Sequence, residues 1–170
     1  HFPTDKIIRN GDIVFIDIGA CWNGYFGDCG RAKIAGGPPH PMQKKVYTTV
    51  YKSLKAGIEK MRVGYTNDDS AAEFLEVARS AGLEENFIKL FIGHGCGISP
   101  NEPPYIGEVM PGAESVAFKP GMTFAVEPLI FVSGIPGGAG VRIEDHILIT
   151  EGDPVYMTRA PYCEELIEQD

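Results

Sequence analysis

Five residues with metal-binding side chains interrupt segments that are otherwise apolar or rich in glycine: Asp17, Asp28, His94, Glu127 and Glu144. A carboxylate in such a segment is costly to bury unless a positive charge meets it. Four carboxylates balance the charge of two divalent cations. We therefore expect a dinuclear metal centre, whereas any one of these acids alone could equally be a surface residue at a strand edge.

The ligand types narrow the choice of metal. Carboxylates with one imidazole favour manganese, cobalt, iron or zinc over copper or a thiolate-bound ion. These four metals accept the same ligands, so the sequence leaves the identity open. Two metals held close together require bridging carboxylates, and two of the four acids can serve in that way.

The first two acids are predicted to meet across a β-hairpin. Residues 12–19 alternate in the manner of a strand, and Asn23-Gly24 is typical of a two-residue hairpin turn. A returning strand over residues 25–34 would bring Asp17 and Asp28 together on the hairpin.

Two helices and three further strands are predicted downstream. Helices are expected over residues 41–61, with an apolar stripe, and 66–81, where Thr66 and Asp69 form a capping box. The strands are expected over residues 87–92, 122–128 and 141–150, with a brief one near Tyr105. The strand over residues 141–150 places Arg142, Glu144 and His146 on one face, which suggests a role for His146 beside the ligands.

Composition limits the partners. The chain of 170 residues is 44% hydrophobic, enough for one domain or part of a larger protein, and its formal net charge is −8. This charge disfavours nucleic acid and anionic membranes as partners, and no stretch approaches the length of a membrane helix. The four cysteines lack the spacing of a zinc ribbon, so we expect reduced thiols, small packed residues and a cytoplasmic protein.

Taken in order, the motifs resemble a known family. They are Asp17-Ile18-Gly19, Asp28 with Arg31 after it, Gly93-His94-Gly95-Cys96-Gly97, Glu127-Pro128 and Val141-Arg142-Ile143-Glu144-Asp145. This order resembles the pita-bread metallopeptidases, which include methionine aminopeptidase, aminopeptidase P, prolidase and creatinase. The resemblance runs from His1 to about Gly152 and is closest to the Xaa-Pro peptidase branch.

The resemblance implies an α+β pita-bread (creatinase/aminopeptidase) fold, a curved antiparallel sheet covered by helices. It implies a single catalytic domain over residues 1–170. The family's domain begins some helices earlier, so we expect those N-terminal helices to be missing and the chain to be the C-terminal part of a longer protein. Family members are often homodimers, and a homodimer is expected here.

The resemblance also implies roles for the residues. Asp17 would chelate one metal, Asp28 and Glu144 would bridge both, and His94 and Glu127 would complete the other. A metal-bridging water or hydroxide would attack the scissile carbonyl. Glu127 is the expected proton shuttle, and the catalytic set is Glu127 with His94 and Arg142.

Substrate binding is expected at Asn101, Arg142 and His1. Arg142 resembles the arginine that meets a substrate carboxylate or supports the metal site. Asn101 stands seven residues after His94, where the family often has a second histidine, and an amide cannot carry a proton in its place. The leading interpretation is an Xaa-Pro aminopeptidase or dipeptidase. The alternatives are a creatinase-like hydrolase or lyase acting on a small organic molecule, and a non-catalytic peptide-binding module.

Overall fold

A long hairpin opens the computed structural model, which describes residues 3–108 and 114–168. Strands β1 (Asp12–Trp22) and β2 (Tyr25–Ala35) run antiparallel. Asn23 and Gly24 join them with φ values of 49° and 83°, the left-handed backbone that a tight hairpin turn requires. The predicted hairpin is therefore confirmed, with strands slightly longer than expected.

Two helices that pack on each other follow, α1 (Pro41–Glu59) and α2 (Asn67–Ser80). The apolar stripe of α1 is buried as predicted, although the helix ends two residues earlier than expected. The Thr66–Asp69 capping box of α2 is also confirmed. His40 is exposed and caps α1, because its Nδ1 accepts a hydrogen bond from the N–H of Met42 at 3.1 Å. We did not predict this cap, since histidine is not among the preferred capping residues.

Seven shorter strands follow within the described residues: β3 (Gly93–Gly95), β4 (Glu102–Ile106), β5 (Thr123–Val126), β6 (Leu129–Val132), β7 (Ala139–Arg142), β8 (Asp145–Leu148) and β9 (Val155–Tyr156). Five of them form an antiparallel sheet in the order β4-β3-β5-β8-β9, while β6 pairs with β7. The brief strand predicted near Tyr105 is β4.

The strand predicted over residues 87–92 is wrong. Phe87 makes a single bridge to Ile130, and a turn at Lys89 and Leu90 then interrupts the segment. Strand pairing begins at Gly93, where β3 lies so close to β5 that a Cβ would be 2.7 Å from the carbonyl oxygen of Ala125. Phe87 and Ile92 are buried, whereas Ile88 and Leu90 are exposed, so the apolar residues of this segment do not form one face of a strand.

The continuous strand predicted over residues 141–150 is also wrong. The chain leaves β7 at Arg142 and enters β8 at Asp145, and the two strands belong to different sheets. Between them, Glu144 forms a bridge with Gly30 of the first hairpin. The strand predicted over residues 122–128 is divided similarly, because Glu127 and Pro128 separate β5 from β6.

The core lies between the two helices and the sheets. Its largest fully buried side chains include Tyr47, Phe74 and Phe124. Helix α1 packs on β6 and β7, and β2, which carries Asp28, packs on β7 and β8. In the described part of the chain, no helix combines the length and apolar character needed to cross a membrane.

Candidate metal centre

The five predicted ligands converge into two overlapping groups. Asp28, His94 and Glu144 each offer a ligand atom within 4.8 Å of the others, and so do Asp17, Glu127 and Glu144. Glu144 belongs to both groups and therefore lies where one carboxylate can reach two metal positions. Residues spread over more than 120 positions of the sequence are thus brought to one place.

The two aspartates come from the paired strands of the hairpin. The register sets Asp17 opposite Gly30 and Asp28 opposite Gly19, so the aspartates are diagonal neighbours on one face. Asp17 is exposed and Asp28 is half-buried. Burial, and then the charge of Asp17, raises the pKa of Asp28.

The two glutamates lie at the points where the chain passes between sheets. The N–H of Glu127 donates to the carbonyl of Ile92 at 2.7 Å, and the N–H of Glu144 donates to the carbonyl of Gly30 at 2.9 Å. These backbone bonds fix both residues even though neither lies inside a strand. The sequence predicts both glutamates inside strands. This expectation is wrong, because each glutamate lies in the connection between two strands.

Glu144 is the most strongly perturbed acid of the group. It is 1% exposed, and its Oε2 has no hydrogen-bond partner among the described residues. Burial, followed by the charges of Glu127 and Asp28, raises the pKa of Glu144 to about 9. Four acids lie together here with Arg142 as a neighbouring cation, so negative charge is in excess and the donor set fits divalent cations.

His94 presents one ring nitrogen to this group. Its Nδ1 lies 2.9 Å from the carbonyl oxygen of Gly95, which can only accept, so Nδ1 carries the proton and Nε2 is free to bind a metal. Nε2 is 3.4 Å from Oε1 of Glu127, and the ring stacks on Phe91. Burial acts to lower the pKa of His94, but the hydrogen bonds with Glu127 and Gly95 outweigh it, and the pKa is raised.

Arg142 links the acids to an adjoining cavity. Its guanidinium lies 2.7 Å from Oε2 of Glu127, and its Nε is buried without a hydrogen-bond partner among the described residues. A cavity of about 390 Å³ opens beside it, lined by Phe15, Asp17, Leu129, Gly140 and Arg142. The cavity wall thus carries one cation and one anion on apolar surroundings, which suits a small zwitterionic ligand.

Asn101, which is also expected to bind substrate, does not line this cavity. Asn101 is exposed, and its described hydrogen bonds are backbone bonds with the hydroxyl of Ser99. His1 lies outside the described residues. Their roles in binding substrate stay predictions.

His146 lies beside the ligands, as its position in the sequence suggested. Its Nδ1 accepts a hydrogen bond from the N–H of Asp28 at 3.3 Å, which ties β8 to β2. Burial lowers the pKa of His146, so the neutral ring that accepts this bond is favoured.

The cysteines are free thiols, as expected. Burial raises the pKa of Cys96 to about 11 and also raises that of Cys29. A thiol with a raised pKa is a poor nucleophile near neutral pH, which agrees with packing residues beside the ligands.

Sequence reasoning missed the role of Asp145. This residue is fully buried, and its carboxylate lies 2.7 Å from Arg31 and accepts a hydrogen bond from the hydroxyl of Tyr162 at 2.5 Å. The available signals were an acid on an apolar strand face and an arginine three residues after Asp28. Its partners are 114 and 17 residues away in the sequence, so only the fold reveals the pairing.

Comparison with known proteins gives a consistent result. Residues 1–151 match the model of metallopeptidase family M24. The chain is 34% identical over 163 residues to a probable dipeptidase PepE of Mycobacterium tuberculosis, covering 95% of this chain and 41% of that protein. It is 34% identical over 156 residues to an Xaa-Pro dipeptidase of Pyrococcus furiosus, covering 92% of this chain and 42% of that protein.

A solved dipeptidase of Pyrococcus horikoshii superposes with a TM-score of 0.84 at 38% identity, over 95% of this chain and 43% of that one. The likeness to structures of this kind confirms the predicted pita-bread fold. The chain spans about two fifths of the length of the curated relatives that it matches.

Proposed function

The chain belongs to metallopeptidase family M24, and on that premise we propose that it forms the dinuclear metal centre of a hydrolase that cleaves Xaa-Pro peptides. The proposal names an Xaa-Pro dipeptidase or aminopeptidase as the activity of the protein.

The observation that carries the proposal is the position of Glu144. One oxygen of this buried carboxylate has no hydrogen-bond partner among the described residues, and the carboxylate belongs to both ligand groups. A single structural ion pair would not require three further acids around Glu144, whereas two cations would compensate the charge of all four. A pair of divalent cations therefore accounts for all four acids.

We assign Asp17, Asp28, His94, Glu127 and Glu144 as the residues that would hold two divalent ions. Glu144 belongs to both ligand groups and would serve both ions, whereas Asp28, for which the sequence predicts the same role, belongs to one of them. When bound, such ions polarise a substrate carbonyl and lower the pKa of water, which prepares both partners for hydrolysis.

Glu127 is the proposed proton carrier. Its Oε2 is occupied by Arg142, whereas its Oε1 faces His94 and the ligand group. As water adds to the scissile carbonyl carbon, Glu127 accepts a proton from it. When the C–N bond breaks, Glu127 returns that proton to the leaving nitrogen, so the peptide is divided with no net change of the enzyme.

Arg142 is the proposed anchor for the substrate. Its guanidinium lines the cavity and has a buried Nε without a partner among the described residues, so it can donate to a carboxylate. A dipeptide carries a free carboxylate one residue from the scissile bond, which is the spacing that a guanidinium next to the ligand group can use. The similarity to a probable dipeptidase and to an Xaa-Pro dipeptidase supports this substrate class.

The test is hydrolysis of Ala-Pro by the purified protein after chelation and after addition of manganese or cobalt. We expect activity that the chelator removes and the metal restores. Glu127→Gln should lose activity, while Glu151→Gln, which changes an exposed acid on the surface, should keep it.

The other outcomes separate the alternatives. Metal binding with turnover of a small organic molecule and none of Xaa-Pro peptides would favour the creatinase-like reaction, for which Asn101 is the sequence signal. Metal binding without any hydrolysis would refute the proposed activity while retaining the centre. No metal binding at all would refute the centre and favour a peptide-binding module.

A further inference from the structure

A series of polar side chains, joined by hydrogen bonds, runs behind the proposed centre from helix α1 to the backbone of Glu144. We call it the polar chain; its members are Lys55, Tyr162, Asp145 and Arg31. Lys55 Nζ lies 2.7 Å from the hydroxyl of Tyr162, and that hydroxyl lies 2.5 Å from Oδ2 of Asp145. Arg31 then contacts Oδ1 of the same carboxylate at 2.7 Å.

The direction of these hydrogen bonds is fixed by chemistry. The ammonium of Lys55 can only donate, so the oxygen of Tyr162 must accept from it and turn its own proton toward Asp145. Asp145 receives the second hydrogen bond from Arg31. Each member therefore holds the next in one orientation, and the order cannot be reversed while Lys55 is charged.

Arg31 transmits this order to the proposed ligands. Its NH1 donates to the carbonyl oxygens of Gly30 at 2.8 Å and of Glu144 at 2.5 Å. Its Nε and NH2 donate to the carbonyl of Ala160, and NH2 also binds Asp145. All three nitrogens of this largely buried guanidinium therefore form hydrogen bonds. Through them Arg31 connects the strand that carries Asp28 to the segment that carries Glu144.

The aromatic surroundings hold the two cations in place. Lys55 lies over the rings of Tyr156 and Tyr162 at 4.1 and 4.6 Å from their centroids. Arg31 lies over the Tyr162 ring at 4.6 Å. Both cations therefore contact the ring of Tyr162, whose hydroxyl donates to Asp145.

We propose that Lys55 and Tyr162 are positioning residues for the metal centre, acting through Asp145 and Arg31 on the backbone of Glu144. The inference rests on the proposed function, because it takes Glu144 as a metal ligand. Hydrogen-bonded partners behind metal ligands typically contribute about 10–100-fold to metal affinity. The merely structural alternative is that the polar chain stabilises the fold and leaves the metal site unaffected.

The experiment compares Tyr162→Phe with Tyr51→Phe in the protein. Tyr162→Phe keeps the ring beneath both cations and removes only the hydroxyl that joins Lys55 to Asp145. Tyr51 packs edge-on against Tyr162 at 5.0 Å and lies outside the polar chain, so it is the matched control. Cobalt affinity is measured by calorimetry, and the visible absorption of bound cobalt reports the ligand geometry independently of activity.

We expect Tyr162→Phe to weaken cobalt binding on the order of 10-fold and to alter the cobalt spectrum, while Tyr51→Phe matches the wild type. Lys55→Met should reproduce the loss, and adding it to Tyr162→Phe should cause little further loss, because both break the same chain. Lys55→Arg, which keeps a donor, should recover part of the affinity.

Two results would overturn the inference, and they are distinguishable. If the wild type binds cobalt and Tyr162→Phe binds it with the same affinity and spectrum as Tyr51→Phe, the polar chain does not position the ligands. If the wild type takes up no cobalt, the proposed centre fails and the inference fails with it. A fall in thermal stability of Tyr162→Phe without any change in cobalt binding counts as the first of these results.

Discussion

Replacing Gly30 by alanine is expected to displace the carboxylate of Glu144 from the proposed centre. A Cβ at Gly30 would lie 2.9 Å from Oε2 of Glu144, 2.9 Å from a ring carbon of Phe15 and 3.0 Å from the Cβ of Glu144. All three distances are shorter than ordinary contacts between carbon and its neighbours. Since the backbone of Glu144 is held by its bridge to Gly30, the carboxylate is the part most able to move.

The loss of stability caused by Gly30→Ala depends on which neighbouring atoms move. The Glu144 carboxylate can swing, but the ring of Phe15 packs on the core and must shift as well. Overpacking of this kind costs about 1–3 kcal/mol, which corresponds to a fall of roughly 2–4 °C in Tm per kcal/mol in a chain of this size. Metal binding should suffer more than stability, because a displaced ligand no longer faces both metal positions.

The assay pairs Gly30→Ala with Gly19→Ala on the same hairpin. A Cβ at Gly19 would meet only the carbonyl oxygen of Gly27 at 3.7 Å, which is ordinary contact. Denaturant unfolding of the chelated proteins gives the stability cost, and cobalt calorimetry gives the binding cost. Equal stability and equal cobalt affinity of the two variants would refute the reasoning.

Three further changes test separate parts of the account. Arg142→Gln should reduce the preference for Ala-Pro over its C-terminal amide by about 10-fold or more, because a charged hydrogen bond to the free carboxylate is lost; the ratio of kcat/KM values measures it. Thr66→Ala removes the cap of α2 and should cost about 1 kcal/mol in denaturant unfolding with unchanged cobalt affinity. Burial raises the pKa of Tyr47 to about 12, so its contribution to stability is complete below pH 10 and is lost as pH rises toward 12. Tyr47→Phe should therefore unfold with a weaker pH dependence across that range.

The sequence predicted those parts of the fold that local chemistry determines. Asn23-Gly24 specifies the hairpin because both residues accept the left-handed backbone, and the hairpin alone brings Asp17 and Asp28 together. The helices followed from apolar periodicity and from the capping pair at Thr66 and Asp69. Four of the five candidate ligands were recognisable because acids are unexpected in apolar segments, and His94 because it lies between glycines.

The parts that were missed depend on contacts between distant segments. The chain breaks at Glu127 and Glu144 are invisible in an alternating pattern, because apolar residues continue on both sides while the strands change sheets. The sequence does not explain Asp145, because only the fold brings Arg31 and Tyr162 to its carboxylate. A period of two reports that a segment is extended, and it carries no information about which sheet the segment joins.

The most direct test of the proposed centre is anomalous diffraction from crystals of the protein grown with manganese or cobalt. The account predicts two metal peaks in one site, with the carboxylate of Glu144 contacting both and His94 contacting one through Nε2. A single peak, peaks away from these residues, or no peak in crystals grown with the metal would contradict the claim that the five residues form a dinuclear centre.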